Sequence, residues 1–251
     1  MAVRFGIGVL RRIYGQRPWP VTAVRLLDRV GKWIALTPPL QECISSGASI
    51  RNPFLSEFFR DVEVGNTSLT VPTLDFLEAQ IKSFAPQLIF EFGSGISTVC
   101  LARFMQELHG PSGERRVLSV DQDDGYAEIT RGLLKKAGLD NMAGVFVAPL
   151  GAQEINGHTI RCYEMKDIGT FFGGRKADFV LIDGPFDRET PSRYGTLPQI
   201  RPFLKSGTPF FLDDAFRAKE LLIAALWKKL PYIRLRGIHP VGKGLLEGRV
   251  L

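Results

Sequence analysis

The pattern of hydrophobic and polar positions changes character near residue 68. Upstream, apolar residues recur at helical spacing in two short stretches, diluted by glycine and accompanied by arginine. Downstream, short apolar runs typical of buried strands alternate with helical patterns. The elements predicted there are helix 71–84, strand 88–92, helix 97–108, strand 116–120, helix 125–137, strand 143–148, strand 158–163, strand 178–182, helix 196–204, strand 209–213, helix 215–229 and strands 232–238 and 245–251.

Strands that alternate with helices predict an α/β fold with a parallel sheet covered on both faces. The last two strands are joined by a short, glycine-containing connection and predict an antiparallel hairpin. The dipeptide Asn156-Gly157 predicts the two-residue turn of another hairpin. We expect a helical N-terminal extension over residues 1–67 and one domain over residues 68–251.

The positive charge is concentrated in the extension. Residues 1–32 carry seven basic residues against the single Asp28, and the whole chain has a net charge of +6. The remainder is therefore neutral, which argues against a nucleic-acid partner and places any attraction to anionic surfaces in the extension. Three roles for the extension stay open: an interfacial helix on an anionic membrane, a helical layer packed on the domain, or the contact of a homodimer.

The N-terminus has no secretory pattern, and no apolar stretch reaches the roughly 18–20 residues that span a bilayer. The three cysteines are widely spaced and give neither a disulfide framework nor a zinc site. These features predict a cytoplasmic protein. The basic extension suggests an alternative, in which the protein also contacts a membrane peripherally.

The most informative motif lies where the first strand of the domain meets the next helix. Glu91 is followed by the turn Gly93-Ser94-Gly95, and glycine allows a sharp bend and close approach of a ligand. Asp121 ends the next strand, where a carboxylate can accept two hydrogen bonds from a ribose diol. Because Glu91 would repel a pyrophosphate but suits an ammonium group, the pocket fits a cationic amino-acid nucleoside better than NAD. An NAD-dependent oxidoreductase and a non-catalytic nucleotide- or membrane-binding module are the alternatives.

The motifs 88–98, 119–121, 181–183 and 212–214 resemble those of class I S-adenosylmethionine-dependent methyltransferases, nearest to the catechol O-methyltransferase-like enzymes. The resemblance implies a Rossmann-like, doubly wound, seven-stranded sheet, mostly parallel with an antiparallel C-terminal hairpin. It implies methyl transfer from S-adenosylmethionine to an oxygen of a small-molecule or glycan acceptor. The cofactor residues that it implies are Glu91, Gly93, Ser94, Gly95 and Ser97 for the methionine part, Asp121 for the ribose and Gln122 beside the adenine.

The same resemblance places Asp183, Asp213 and Asp214 at the positions of Mg²⁺ ligands. Three converging carboxylates would be costly without a cation, and Mg²⁺ takes oxygen ligands. The sequence departs from the catechol enzymes at two positions, however. Asp214 replaces an amide, and Phe186 replaces the lysine that acts as general base. A metal-free alternative therefore stays open, in which Asp183 is the base and Asp214 caps the last helix.

A polar loop over residues 186–194 follows the fourth parallel strand. Arg188 and Arg193 are candidates to pair with an anionic or sugar-like acceptor, and Tyr194 is a candidate to stack on it. The alternative is a solvated loop whose charges have no specific partner.

Overall fold

The computed structural model describes residues 2–15, 17–33, 52–58, 60, 69–111 and 114–251. The helices are α1 (Ala2–Tyr14), α2 (Val21–Trp33), α3 (Pro53–Phe58), α4 (Val71–Phe84), α5 (Ile96–His109), α6 (Asp124–Lys136), α7 (Ile168–Phe172), α8 (Thr196–Ile200) and α9 (Ala218–Trp227). The strands are β1 (Ile89–Phe92), β2 (Val117–Asp121), β3 (Ala143–Val147), β4 (Leu150–Ile155), β5 (His158–Tyr163), β6 (Phe179–Ile182), β7 (Pro209–Leu212), β8 (Ile233–His239) and β9 (Leu245–Val250). Short 3₁₀ helices cover Ser192–Gly195 and Arg201–Phe203. None of the described helices has the length and apolar character needed to cross a membrane.

Seven strands form one sheet in the order β3-β2-β1-β6-β7-β9-β8. The first five are parallel, and β9 runs antiparallel to both β7 and β8. Strands β4 and β5 form a separate hairpin that turns at Asn156-Gly157. The predicted Rossmann-like sheet with an antiparallel end is confirmed. Its strand order reverses between β1 and β6, and in such sheets ligands bind at this switch point.

Side chains of the central strands alternate between two helical layers. Phe90 and Phe92 pack with residues of α1, α2, α9 and the β4–β5 hairpin. Ile89 belongs to the opposite core, which α4, α5 and α6 complete. Glu91 therefore faces the second layer, beneath the start of α5.

The N-terminal extension is packed on the domain, as one of its three interpretations predicts. Ile7, Leu10 and Val24 are buried in the same core as β1 and β6. Trp19 is fully buried, and its backbone pairs with Ile238 through two hydrogen bonds of 2.7 and 2.8 Å. The predicted division after residue 67 falls on residues that the structure does not describe.

The last helix begins later than its hydrophobic pattern predicts. It starts at Ala218 rather than at residue 215, and Arg217 occupies its N-cap position. Asp214 instead has a left-handed backbone (φ 59°), a conformation that aspartate tolerates better than most residues. The expectation that Asp214 caps this helix is therefore wrong, and its carboxylate is available for another role.

The buried Trp19 gives a test of how far the extension contributes to stability. We expect Trp19→Ala to lower the free energy of unfolding by about 3–5 kcal/mol, because truncation leaves a cavity between α2 and the sheet. Urea denaturation followed by circular dichroism measures the change. Ile13→Ala is the control, since Ile13 is 63% exposed on α1 and should change stability by less than about 0.5 kcal/mol. Equal denaturation midpoints for the wild type and Trp19→Ala would show that the extension does not support the fold.

Candidate active site

Two glycine backbones touch at the switch point. Gly93 has φ 90°, and a Cβ atom added to it would lie 2.8 Å from the backbone nitrogen of Gly184. A Cβ atom on Gly184 would meet Gly93 Cα at 2.8 Å and the Tyr163 hydroxyl at 2.5 Å. Both positions therefore require glycine. The sequence motif indicates the role of Gly93. The roles of Gly184 and Tyr163, by contrast, are visible only in the structure, where the ends of β1 and β6 come into contact.

Glu91 lies fully buried under the first turn of α5. The Thr98 hydroxyl donates a 2.6 Å hydrogen bond to one of its carboxylate oxygens, and the other finds no partner among the described residues. Burial raises the pKa of Glu91 to about 7, although the hydrogen bond from Thr98 and the nearby hydroxyls of Ser97 and Ser119 partly offset this effect. Thr98 also accepts a hydrogen bond from the Gly95 backbone. Glu91 is thus linked to the glycine turn through Thr98, a role that the motif alone does not reveal.

Asp121 is held by the residue that follows the first glycine. Its Oδ2 atom accepts hydrogen bonds from both the backbone nitrogen and the hydroxyl of Ser94, each 2.7 Å long. Its Oδ1 atom accepts a bond of 3.0 Å from the Asp123 backbone. A carboxylate offers about four acceptor positions, so three are occupied. The Ser94 hydroxyl also lies 3.1 Å from that of Thr130, which gives it a second partner.

Gln122 connects two edges of the switch point. Its amide nitrogen donates to the Phe186 carbonyl at 3.0 Å, and its oxygen accepts from the Phe186 nitrogen at 2.8 Å. These two bonds tie the end of β2 to the segment that follows β6. The side chain predicted to lie beside an adenine is engaged by protein backbone in this structure.

The three predicted aspartates converge. Asp183 follows β6, Asp213 and Asp214 follow β7, and each offers a carboxylate oxygen within 4.8 Å of the others. Burial raises the pKa of Asp183 and of Asp213, because desolvation penalises the charged forms. The ends of β6 and β7 therefore carry a cluster of negative charge, which requires a nearby cation.

Arg193 provides that partner from within the chain. It is 6% exposed, and its guanidinium nitrogens lie 3.4 Å from one carboxylate oxygen of Asp183 and 3.4 Å from one of Asp214. The same group donates to the backbone carbonyls of Asp183 and Asp213. It also lies 3.6 Å from a carboxylate oxygen of Glu220 on α9. Burial opposes its charged form, but these carboxylates outweigh burial and raise the pKa of Arg193.

The structure corrects two of the three predicted acceptor contacts. Arg193 is buried among the aspartates rather than presented by an open loop. Tyr194 is also buried, with its hydroxyl accepting from Asn156 at 3.2 Å and its ring edge-on to His158. It therefore presents no free face for stacking on an acceptor. Arg188 alone of the three is exposed.

The loop after β6 is ordered around Asp187. The carboxylate accepts hydrogen bonds from the Thr190 backbone (3.0 Å) and hydroxyl (2.5 Å) and from the Ser192 hydroxyl (2.9 Å). Although burial works in the opposite direction, these bonds and one from the Glu189 backbone lower the pKa of Asp187 to about 2. Lys219 on α9 donates to the Asp187 carbonyl at 2.8 Å. The loop is thus fixed rather than merely solvated.

This ordered loop and α9 enclose a cavity of about 360 Å³. Its wall includes Phe186, Arg188, Arg193 and Glu220, so the cavity reaches from the exposed loop to the buried ion cluster. Its volume lies at the lower end of the range for small-molecule sites.

The aspartates fit a divalent cation poorly as they stand. Mg²⁺ requires nearly ideal octahedral coordination by oxygen, with carboxylates free to bind it. Arg193 engages two of the three carboxylates, and Arg217 donates to Asp214 at 2.6 Å. Asp213 alone has no ion pair among the described residues. The predicted magnesium site therefore carries a resident guanidinium.

Comparison with known families identifies the class of protein. The sequence profile described as "Methyltransferase domain" matches residues 90–215, half of the chain. The chain belongs to this methyltransferase family. The predicted class of enzyme is confirmed, and the family favours it over the oxidoreductase alternative.

Solved structures share the fold at low sequence identity. One is the SAH-bound Podospora anserina methyltransferase PaMTH1 (14% identity, TM-score 0.58, covering 90% of this chain and 96% of that one). A second is an O-methyltransferase from Bacillus cereus in complex with SAH (16% identity, TM-score 0.54, covering 91% of this chain and 100% of that one). A third is the O-methyltransferase TomG from Streptomyces achromogenes, involved in tomaymycin synthesis, in complex with SAM (14% identity, TM-score 0.56, covering 80% of this chain and 90% of that one). A comparison with curated protein sequences finds no match.

The raised pKa of Glu91 predicts a pH-dependent stability. In the unfolded chain Glu91 ionises near its ordinary value of 4.5, whereas in the folded protein it ionises near 7. Raising the pH from 5 to 8 should therefore destabilise the wild type relative to Glu91→Gln by up to about 3 kcal/mol. Urea denaturation of both proteins at the two pH values measures this difference. Glu57→Gln, at an exposed position, should follow the wild type, and parallel curves for Glu91→Gln would contradict the prediction.

Proposed function

We propose that this protein transfers the methyl group of S-adenosylmethionine to an oxygen of a small-molecule acceptor. The observation that carries the proposal is the convergence of the glycine turn, Asp121 and the Asp183 cluster at the switch point of a methyltransferase-family sheet. The structural relatives support the cofactor, because those from Bacillus cereus and Podospora anserina hold SAH and TomG holds SAM. Two of these relatives are described as O-methyltransferases.

The cofactor-binding residues in this proposal are those at the ends of β1 and β2. The backbone of the turn Gly93-Ser94-Gly95 and the Ser97 side chain hold the methionine part. Glu91 supports the turn from below through Thr98. Asp121 accepts hydrogen bonds from the ribose diol. Because Ser94 already occupies two acceptor positions of Asp121, its hydroxyl must turn toward Thr130 to admit both ribose hydroxyls. In this proposal Gln122 lies beside the adenine, and its two hydrogen bonds to the Phe186 backbone hold the loop after β6 at this edge.

The acceptor side of the proposal centres on Asp183 and the neighbouring cavity. When bound, S-adenosylmethionine would supply a methyl group on a sulfonium, whose carbon–sulfur bond breaks as the acceptor oxygen bonds to the methyl carbon and S-adenosylhomocysteine leaves. Asp183 takes the proton that the acceptor hydroxyl loses as its oxygen becomes the nucleophile. Burial raises the pKa of Asp183, which makes its carboxylate a stronger base. Arg188 and Phe186 line the cavity and orient the acceptor, and its modest volume favours a small molecule over a glycan.

Calorimetric titration with S-adenosylhomocysteine tests the cofactor assignment. We expect binding by the wild type and a loss of about 100-fold or more in Asp121→Ala, because two hydrogen bonds to a charged group disappear. Ser94→Ala is the matched control: it removes the hydroxyl that competes for Asp121, so affinity should stay equal or rise a few-fold. Folded wild-type protein that does not bind S-adenosylhomocysteine would refute the proposal, and a larger loss in Ser94→Ala than in Asp121→Ala would refute the ribose role.

A second proposal concerns contact with an anionic membrane. A groove of about 830 Å³ lies between α2, α9 and β8, and its described lining holds five cationic residues and no acidic one. The cationic residues are Arg25, Lys228, Lys229, Arg234 and Arg236. Four of them belong to the domain, so a basic face extends beyond the extension although the net charge of the remainder is zero.

Apolar side chains accompany these charges. Leu222 on the groove wall is 46% exposed, and Leu26, one helical turn from Thr22 of the groove, is 64% exposed. Single-stranded nucleic acids are bound by basic grooves that carry aromatic stacking platforms, and the described lining includes no aromatic residue. Cations beside exposed leucines are instead typical of an interfacial surface on anionic lipid.

Vesicle sedimentation tests this surface. The wild type should bind phosphatidylglycerol vesicles at 0.1 M salt and not phosphatidylcholine vesicles, and Lys228→Glu/Lys229→Glu should bind about tenfold or more weakly. The matched control is Lys135→Glu/Lys136→Glu, two adjacent exposed lysines at the end of α6. No binding to anionic vesicles, equal losses in both double variants, or binding to duplex DNA alone would contradict the membrane assignment.

A further inference from the structure

The cluster at the ends of β6 and β7 poses the question of which cation compensates it. Asp183, Asp213, Asp214 and Glu220 meet at a largely buried position. Four carboxylates cannot share such a site without nearby positive charge. A divalent cation or a side-chain cation would meet this requirement. The group that lies between the carboxylates of Asp183 and Asp214 is the guanidinium of Arg193.

We infer that the Arg193 guanidinium takes the place of the divalent cation, so that this site works without a metal. Its two terminal nitrogens face four oxygen atoms, namely one carboxylate oxygen and the carbonyl of Asp183, the carbonyl of Asp213 and one carboxylate oxygen of Asp214. These are the oxygen types that a hard cation would bind. The planar fork of arginine suits several oxygen acceptors at once, unlike the point charge of lysine.

The backbone around Arg193 fixes the guanidinium in this position. The Thr196 hydroxyl donates to the Arg193 carbonyl at 2.8 Å, and the Trp227 indole donates to the carbonyl of Tyr194 at 3.0 Å. A Cβ atom on Gly195 would lie 2.9 Å from Ile155 of the β4–β5 hairpin. The short 3₁₀ helix that carries Arg193 is therefore packed on both sides, and its side chain has little room to withdraw.

Two further cations, Arg217 and Lys243, balance the negative charge of Asp214 from the solvent side. Arg217 donates to Asp214 at 2.6 Å, but its side chain is 39% exposed, and Asp214 is the one carboxylate with which it pairs among the described residues. The Lys243 ammonium lies 4.0 Å from the other oxygen of Asp214. Arg193 is the described cation that bridges the ends of β6 and β7, which is the place that a metal between Asp183 and Asp214 would need. We assign it a positioning role, in which it fixes the orientation of the Asp183 carboxylate.

This inference rests on the proposed function for its catalytic meaning, but a binding experiment tests it without an acceptor. The probe is Mn²⁺, whose free form is quantified by electron paramagnetic resonance, titrated into the full-length protein with S-adenosylhomocysteine present. The wild type should leave the free Mn²⁺ signal unchanged. Arg193→Met should bind Mn²⁺ at least about tenfold more tightly, because removing the guanidinium frees Asp183 and Asp214. Adding Asp183→Asn to that variant should abolish the gain.

Arg217→Met is the matched control. It removes a cation from the same cluster but leaves Arg193 between the carboxylates, so it should bind no more Mn²⁺ than the wild type does. A merely structural role for Arg193 predicts lower melting temperatures without any gain in Mn²⁺ binding. Mn²⁺ binding by the wild type that Asp183→Asn removes would overturn the inference.

The same samples separate the possible failures. If Arg193→Met does not fold, as judged by its circular dichroism melt, the wild type and Asp183→Asn decide alone: an unchanged Mn²⁺ signal supports the inference, and binding that depends on Asp183 overturns it. Absence of S-adenosylhomocysteine binding in the wild type refutes the proposed function, whereas Mn²⁺ binding beside intact S-adenosylhomocysteine binding refutes only the role of Arg193.

Discussion

The contact between the Gly93 and Gly184 backbones is the constraint on which the site depends. Strands β1 and β6 are neighbours in the sheet, but the chain leaves them toward opposite halves of the fold, so a crevice opens at their ends. The two turns meet there at a distance that admits no side chain. This close approach brings Glu91, Asp121 and Asp183 to one small region although they belong to three strands. A larger residue at either glycine would separate the proposed cofactor side from the acceptor side.

Buried carboxylates are the second feature that determines the site. Their charge is stabilised in three different ways. Glu91 lies under α5 with a hydrogen bond from Thr98 and no ion pair to any described residue, and burial raises its pKa to about 7. Asp121 is bound by Ser94 and the backbone of Asp123. Asp183 and Asp214 are compensated by Arg193. Because removing one partner of a buried ion pair leaves an uncompensated charge, Arg193 ties the acid cluster to the loop that carries it.

Periodicity and local motifs were sufficient to predict most of the fold. Alternating strand and helix patterns predict the parallel sheet, and Asn156-Gly157 predicts the β4–β5 turn, because both signals reside in consecutive residues. The acids at the strand ends are predictable for the same reason, since parallel strands end at one edge. The start of α9 was missed, because Asp214 and Arg217 adopt conformations that depend on the ion cluster rather than on local pattern.

The site shows where sequence reasoning ends. Arg193 and Tyr194 lie in a polar stretch that favours an exposed loop. Nothing local indicates that Arg193 meets Glu220 on α9 or that Tyr194 meets Asn156 in the hairpin. Burial of such residues is decided by partners far away in the chain, which single-sequence patterns do not record. Acidic residues are the signal that remains in the sequence. Three aspartates lie at one sheet edge and Glu220 lies in the first turn of α9, so a buried arginine nearby is the simplest way to balance their charge.

This solution also couples the cavity to the rest of the fold. The segment that carries Arg193 lies between the Asp187 loop, which walls the cavity, and Trp227 of α9, which donates to the carbonyl of Tyr194. Asp183 therefore receives its position from two directions, from the sheet through the Phe92 carbonyl and from the loop through Arg193. If Asp183 is the proton acceptor, as proposed above, Arg193 would keep its geometry without a metal, because the cation that orients it is covalently part of the chain and cannot dissociate.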